Sequence, residues 1–128
     1  MTENQIAAIV VNSAYKVHKS LGPGLLESAY EECLFYELKE QDLHVQKQKA
    51  LPLVYESVKM DIGYRVDLMI ENKFIIEIKS IESINDVHMA QILTYLKLSD
   101  CKLGMLIDFN LSLIKNGIKR VINGDIQY

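Results

Sequence analysis

Apolar residues recur along the chain with two different periods, and these periods define the predicted elements. Apolar positions three and four residues apart are typical of one face of a helix, whereas alternation is typical of a half-buried strand. Gly22-Pro23-Gly24 ends the first helical pattern, and Pro52 indicates an edge or a bulge in the first strand. The predicted helices cover residues 2–21, 25–41 and 87–98, and the predicted strands cover residues 45–55, 66–70, 74–78, 103–109 and 117–122.

The strands predicted at residues 66–70 and 74–78 form an antiparallel hairpin. Both are rich in β-branched and aromatic residues, and the turn-like sequence Glu71-Asn72-Lys73 separates them. A loop of these residues fixes the register of the strands that flank it. The predicted cross-strand pairs are Ile70 with Phe74, Asp67 with Glu77, and Arg65 with Lys79.

Side chains alternate between the two faces of a strand, so the hairpin is predicted to have an apolar face and a charged face. The apolar face consists of Val66, Leu68, Ile70, Phe74, Ile76 and Ile78. The charged face carries Arg65, Asp67, Met69, Ile75, Glu77 and Lys79.

The opposed carboxylates of Asp67 and Glu77 are the first candidate for chemistry. Opposed Cβ atoms lie about 4.5–5.5 Å apart, so the two charges repel and one group takes up a proton unless a cation lies between them. Mg²⁺ prefers oxygen ligands and is commonly held by one or two carboxylates. The residues therefore indicate a metal site, and a solvated face with a cross-strand charge pair is the alternative.

The second helix carries a further acidic candidate, Glu27. Its helical position lies inside the apolar arc, and an acidic side chain that faces a core needs a partner. Glu37 falls in the same arc, however, and a place in the first turn also suits Glu27 because of the helix dipole. Both interpretations of Glu27 remain open on these residues alone.

The third helix is apolar nearly all round, which is typical of a helix covered on two sides. We expect either the first helix or the partner in a symmetric homodimer to lie on Met89, Leu93 and Leu96. His88 lies near the Gln91 side of this helix. For His88, a role in a site and a plain surface position are both open.

Composition and charge limit the function classes. The 128 residues are 49% hydrophobic and carry a net charge of −3, which fits one globular domain over residues 1–128. Negative charge argues against a broad nonspecific coat of nucleic acid but allows a local basic groove. The pattern predicts no membrane span and no signal peptide. Cys33 and Cys101 lack metal-site spacing, so we expect reduced thiols in a cytoplasmic protein.

The order of the elements predicts an α/β sandwich in which helices flank a mixed central β-sheet. Several motifs then resemble a known family. GLLESAY at residues 24–30 resembles the signature of the GxxExxY proteins, and YRVDLMI, IIEIKS, HMAQILTYLKL and GMLIDFN follow in the family's order. This family is similar in motif order to the PD-(D/E)XK nuclease superfamily, which has the restriction-endonuclease-like fold. The resemblance covers nearly the whole chain.

The resemblance implies roles for individual residues. The positions that match the D…ExK core, the acidic residue of the preceding helix and the QxxxY of the following helix are Asp67, Glu77, Lys79, Glu27, Gln91 and Tyr95. The implied ligands of Mg²⁺ or Mn²⁺ are Asp67, Glu77, the backbone carbonyl of Ile78, and Glu27 through water or at a second ion. The other implied catalytic residues are Lys79 and Gln91. The expected substrate contacts are Gln91, Tyr95, Tyr30 and Arg65. For Arg65, packing against Asp67 is the alternative to a contact with phosphate.

The function implied by the resemblance is metal-dependent hydrolysis of phosphodiester bonds. The resemblance does not imply a substrate, because the superfamily includes proteins that cleave DNA and proteins that cleave RNA. We expect nucleic acid as the partner, with DNA ahead of RNA. A second class of function stays open on the sequence. The chain could instead be a non-catalytic module that binds nucleic acid or protein and retains the nuclease fold.

Overall fold

A computed structural model of the chain describes residues 1–126. Every predicted helix and strand is present, and the central difference is that the second strand begins earlier than the pattern indicated. The elements are α1 at Glu3–Leu21, α2 at Glu27–Glu40, β1 at Val45–Tyr55, β2 at Val58–Ile70, β3 at Phe74–Lys79, α3 at Asp86–Ser99, β4 at Leu103–Asp108, a 3₁₀ turn at Ile114–Gly117, and β5 at Ile118–Ile122.

The strands form one five-stranded sheet in the order β1-β2-β3-β4-β5. Neighbouring strands are antiparallel except for β3 and β4, which are parallel because α3 connects them. The predicted α/β fold with a mixed sheet and flanking helices is therefore confirmed.

Two apolar cores lie on the two faces of this sheet. Helices α1 and α2 pack on one face, where Met105 and Ile107 of β4 are buried. Helix α3 packs on the other face, where Leu106 of β4 is buried against Ile92 and Leu96. The alternation along β4 thus matches the division of the helices between the two faces.

The predicted cover of α3 by the first helix is wrong. Leu96 is fully buried in the core beneath α3, while Met89 and Leu93 are only partly buried. Because α1 lies on the opposite face of the sheet, it does not form a second layer over α3. The homodimer alternative stays a prediction.

The N-terminus of α3 explains His88. The side chain of Asn85 accepts hydrogen bonds from the backbone N–H groups of Val87 and His88, at 3.0 and 3.1 Å. The Nδ1 atom of His88 accepts in return from the Asn85 backbone N–H, at 3.1 Å. This reciprocal cap satisfies backbone donors that a helix leaves unpaired, so the structure gives His88 a structural role.

Strands β1 and β2 continue beyond the packed sheet as a hairpin arm, which we define as residues 52–64. The turn at Glu56 and Ser57 has positive φ angles of 50° and 65°, the geometry of a tight hairpin turn. Neither residue is the Gly or Asn that such a turn favours, so this turn was not predicted from the residue types. The large apolar side chains exposed on this arm are Val54, Tyr55, Val58, Ile62 and Tyr64.

Candidate metal and active site

Strands β2 and β3 bring Asp67 and Glu77 together where their backbone ladder ends. The ladder runs from Ile70 opposite Phe74, as predicted, to Leu68 opposite Ile76. Beyond it, the Asp67 backbone N–H donates to Glu77 Oε2 at 2.8 Å. The Ile78 backbone N–H donates to Asp67 Oδ2, also at 2.8 Å. Each carboxylate is therefore anchored by the main chain of the opposite strand.

The predicted division of the hairpin into an apolar face and a charged face is wrong at Val66. Five residues of the apolar face lie in the α1–α2 core, but Val66 is buried in the α3 core with Met69 and Ile75. Alternation therefore changes phase between Val66 and Leu68, at Asp67. Since the placement of Arg65 beside the carboxylates depended on unbroken alternation, that placement no longer follows, and Arg65 is exposed.

Burial and repulsion dominate the electrostatics of Glu77. The residue is only 5% exposed, and burial followed by the Asp67 charge raises the pKa of its carboxyl group to about 8. The hydrogen bond from the Asp67 backbone and the charge of Lys79 act in the opposite direction. Without a cation, Glu77 therefore retains its proton at neutral pH.

Lys79 ends β3 and stands beside β4 in the parallel register, opposite Asp108. It is half-buried and close enough for its charge to lower the pKa of Glu77. Asp108 is fully buried. Its Oδ1 accepts from the Ile81 backbone N–H at 3.2 Å and from the Asn110 backbone N–H at 3.0 Å. Asp108, which was predicted only as part of a buried strand, thus fixes the backbone that follows Lys79.

Glu27 lies near the site but not between the two carboxylates. It is exposed in the first turn of α2, which fits the helix-dipole interpretation and not an acidic group facing the core. Its Oε2 accepts from the Ser80 backbone N–H at 3.3 Å. Ser80 Oγ donates in turn to the Leu25 carbonyl at 2.7 Å. Glu27 therefore connects the start of α2 to the residue after Lys79.

Asp67 and Glu77 fit a divalent cation by the chemistry of their donor set. They offer hard carboxylate oxygens, and burial followed by the Asp67 charge raises the pKa of Glu77, an effect that a bound cation would oppose. Across residues 1–126, no group of three or more His, Cys, Asp or Glu side chains is arranged to hold a metal ion. The structure thus brings together two of the three predicted acidic ligands, and Glu27 stands apart from them.

A link between α2, β1 and β2 was missed from the sequence. Gln48 Nε2 donates to Glu31 Oε1 at 2.7 Å and to Asp67 Oδ1 at 3.1 Å. Burial raises the pKa of Glu31, the Asp67 charge adds to this effect, and the Gln48 hydrogen bond opposes it. The spacing of four residues between Glu27 and Glu31 places both on one helix face, which was the available signal.

Tyr30 does not have the position of a substrate contact. Its side chain is fully buried, and its ring stacks on Phe109 with 4.5 Å between centroids. Its hydroxyl donates to the Gly22 carbonyl at 2.6 Å and accepts from the Leu25 backbone N–H at 3.1 Å. The predicted contact is therefore corrected, because Tyr30 instead orders the loop that leads to Glu27.

Replacement of Tyr30 by Phe should destabilise the protein by about 1–3 kcal/mol, because two backbone groups lose a partner in a partly buried place. Ring stacking on Phe109 is retained, so the fold should persist. Chemical denaturation measures the loss, with the exposed Tyr36→Phe as control. A Tyr30→Phe midpoint equal to that of Tyr36→Phe would contradict the assigned role.

The α3 helix places Tyr95 beside the carboxylates. Tyr95 is 5% exposed, and burial, followed by the charges of Glu77, Tyr64 and Asp67, raises the pKa of its hydroxyl group. The Tyr64 ring lies against it with 5.5 Å between centroids. Gln91 is exposed one turn earlier on α3. Tyr64, which was not among the predicted site residues, therefore extends the surroundings of the site onto the hairpin arm.

The α/β fold, with two carboxylates held together on strands β2 and β3, is typical of a nuclease-like class of protein. Comparison with known families supports this class. A family model described as the PD-(D/E)XK nuclease superfamily matches residues 4–121. The chain belongs to this superfamily, as the motifs predicted. The narrower GxxExxY assignment stays a prediction. No curated protein and no solved structure matches the chain.

Membership supports a nuclease-type function on nucleic acid, and nucleases of this superfamily generally use divalent metal ions. Among the helices within residues 1–126, none has the length and apolar character required to cross a membrane.

Proposed function

We propose that the protein is a metal-dependent nuclease that hydrolyses phosphodiester bonds, with DNA as the first expected substrate and RNA as the second. The observation that carries the proposal is the reciprocal anchoring of Asp67 and Glu77 at the end of the β2–β3 ladder, with Lys79 on the same strand. This anchoring holds two carboxyl groups together although the charge of Asp67 opposes ionisation of Glu77. A bound cation would offset that repulsion.

Asp67 and Glu77 would hold Mg²⁺ or Mn²⁺, with the Ile78 carbonyl as a third ligand and Glu27 through water. A divalent ion bound there supplies Lewis-acid activation of water and of the phosphate group. Burial of Glu77 strengthens its attraction for the ion, because water screens charges poorly at that position.

Lys79 would orient the attacking water and stabilise the negative charge that grows on the phosphate. Its own position is supported by Asp108 and Glu27, which hold the backbone N–H groups of Ile81 and Ser80. Gln91 would orient Lys79 or contact the nucleic-acid backbone from the exposed side of α3. Exposed Arg65 would contact a phosphate farther along the substrate.

The test is cleavage of single-stranded, duplex and branched DNA and of RNA with Mg²⁺ or Mn²⁺. The Asp67→Asn variant removes a ligand charge and should lower both metal affinity and cleavage more than about 100-fold, since even loss of residues that support ligands costs 10–100-fold. Asp61→Asn on the hairpin arm is the matched control, because Asp61 is exposed and of the same chemistry.

Equal cleavage by the wild type and Asp67→Asn would assign the activity to a contaminant or to another site. Binding of nucleic acid or of a protein partner without cleavage of any substrate would favour the non-catalytic module.

A further inference from the structure

Gln48 is held between two acidic side chains on different elements. Its amide nitrogen donates to Glu31 Oε1 on α2 at 2.7 Å and to Asp67 Oδ1 on β2 at 3.1 Å. Asp67 Oδ2 already accepts from the Ile78 backbone N–H at 2.8 Å. The Asp67 carboxylate therefore has a fixed donor at each of its oxygens, one from β3 and one from β1.

The backbone of Gln48 adopts a conformation that its residue type disfavours. Its φ angle is +51°, in the left-handed region where a Cβ atom is crowded. The β1–β2 ladder passes from Lys47–Leu68 to Lys49–Val66, so the opposed residues Gln48 and Asp67 leave the regular pairing together. The phase change at Asp67 occurs at the same place.

We propose that Gln48 is a positioning residue of the metal site, whose amide fixes the Asp67 carboxylate while Glu31 fixes the amide. This inference rests on the proposed function, because it concerns a ligand of the proposed ion. Backbone strain at a residue without a glycine's freedom persists when the surrounding structure uses that conformation. Here the left-handed residue lies within β1, and its amide is bonded to Asp67.

Loss of the Gln48 amide should lower the affinity of the site for metal. A ligand that is already oriented binds without the entropy loss of orienting it, and loss of a residue that orients a ligand costs about 10–100-fold in affinity. Glu31 contacts Gln48 and not Asp67 itself, so its removal should also weaken metal binding, but by less than the removal of Gln48.

Two substitutions separate the side chain of Gln48 from its backbone. Gln48→Ala and Gln48→Gly both remove the amide, but only Gly removes the Cβ atom that is crowded at φ +51°. We expect both variants to bind Mn²⁺ about 10–100-fold more weakly by calorimetry. We expect Gln48→Gly to unfold about 2–6 °C above Gln48→Ala, because strain is relieved.

The matched control is Gln46→Ala on the same strand, since no hydrogen bond within residues 1–126 connects Gln46 to Asp67 or Glu31. It should bind Mn²⁺ like the wild type. Wild-type affinity in Gln48→Ala would overturn the inference and leave the proposed function intact. Wild-type affinity in Gln48→Gly alone would also overturn it, because the backbone and not the amide would then position Asp67.

A readout without metal keeps the inference testable if the wild type binds no Mn²⁺, a result that would overturn the proposed function. The Ile78 amide proton is protected by its bond to Asp67 Oδ2. Its hydrogen exchange should accelerate in Gln48→Ala and stay unchanged in Gln46→Ala, since exchange reports local opening. Equal protection in both variants would show that Gln48 does not hold Asp67.

Discussion

Replacement of Lys79 by Ala is expected to lower the rate of cleavage by about 10²–10³, the usual cost of removing one group that stabilises transition-state charge. Lys79 is not a proposed ligand, so the metal should still bind. Because the Lys79 charge lowers the pKa of Glu77, its loss makes ionisation of Glu77 harder. Metal affinities are therefore compared at pH 9, where Glu77 is ionised in the wild type.

The matched control is Lys102→Ala. Lys102 is exposed and directly precedes the start of β4, whereas Lys79 stands beside the end of β4, so the two lysines lie at opposite ends of that strand. Cleavage by Lys102→Ala should equal that of the wild type. If Lys79→Ala retains the wild-type rate at saturating substrate and metal, Lys79 has no part in the chemical step.

The second large effect is a pH dependence of stability in the metal-free protein. The pKa of Glu77 rises from 4.5 to about 8 on folding, so the folded state binds the proton more tightly than the unfolded state. The corresponding stability is fully present below pH 4.5 and is lost as pH rises through about 8. The free energy of unfolding should fall over this range by up to about 5 kcal/mol.

The Glu77→Gln variant keeps the shape of the side chain and removes the titration. With EDTA present, its unfolding midpoint should decline less between pH 5 and pH 9 than that of the wild type. Saturating Mn²⁺ should flatten the wild-type profile, because a cation favours the ionised carboxylate and displaces the proton. Parallel profiles for the wild type and Glu77→Gln would mean that Glu77 titrates normally in the folded protein.

Local patterns predicted the elements and the first register pair of the hairpin well, whereas the predicted pairs of Asp67 with Glu77 and of Arg65 with Lys79 lie beyond the end of the ladder. The turn at residues 71–73 fixed Ile70 opposite Phe74, and apolar spacing identified all three helices. Alternation failed at Val66 because it assumes regular backbone, and no feature of the sequence marks Gln48 for a left-handed conformation. The apolar residues around α3 predicted a helix covered on two sides, whereas within residues 1–126 only the side facing the sheet, with Ile92, Tyr95 and Leu96, is buried.

The site was predictable where its residues lie on one hairpin. The predicted register alone brought Asp67 and Glu77 close together, before any resemblance was considered, although in the structure a bond from the Asp67 backbone to the Glu77 side chain joins them and not the ladder itself. The bridge through Gln48 joins Glu31 to Asp67 across three elements, so it depends on how α2 packs beside β1. Tyr30 is a different case. Its position in the motif marked it as important, but the motif does not show that the side chain is buried in the core and has a structural role there.

The hairpin arm has a consequence for how the protein can change over evolutionary time. Of its residues, the bulky apolar ones at Val54, Tyr55 and Ile62 are exposed, so substitutions there remove little buried surface. Residues 66–79 contribute to both cores and tolerate much less change. The last residue of the arm, Tyr64, lies against Tyr95 beside the proposed site. Substitutions on the arm can therefore accumulate with little loss of folding stability, even though the arm ends beside the proposed site.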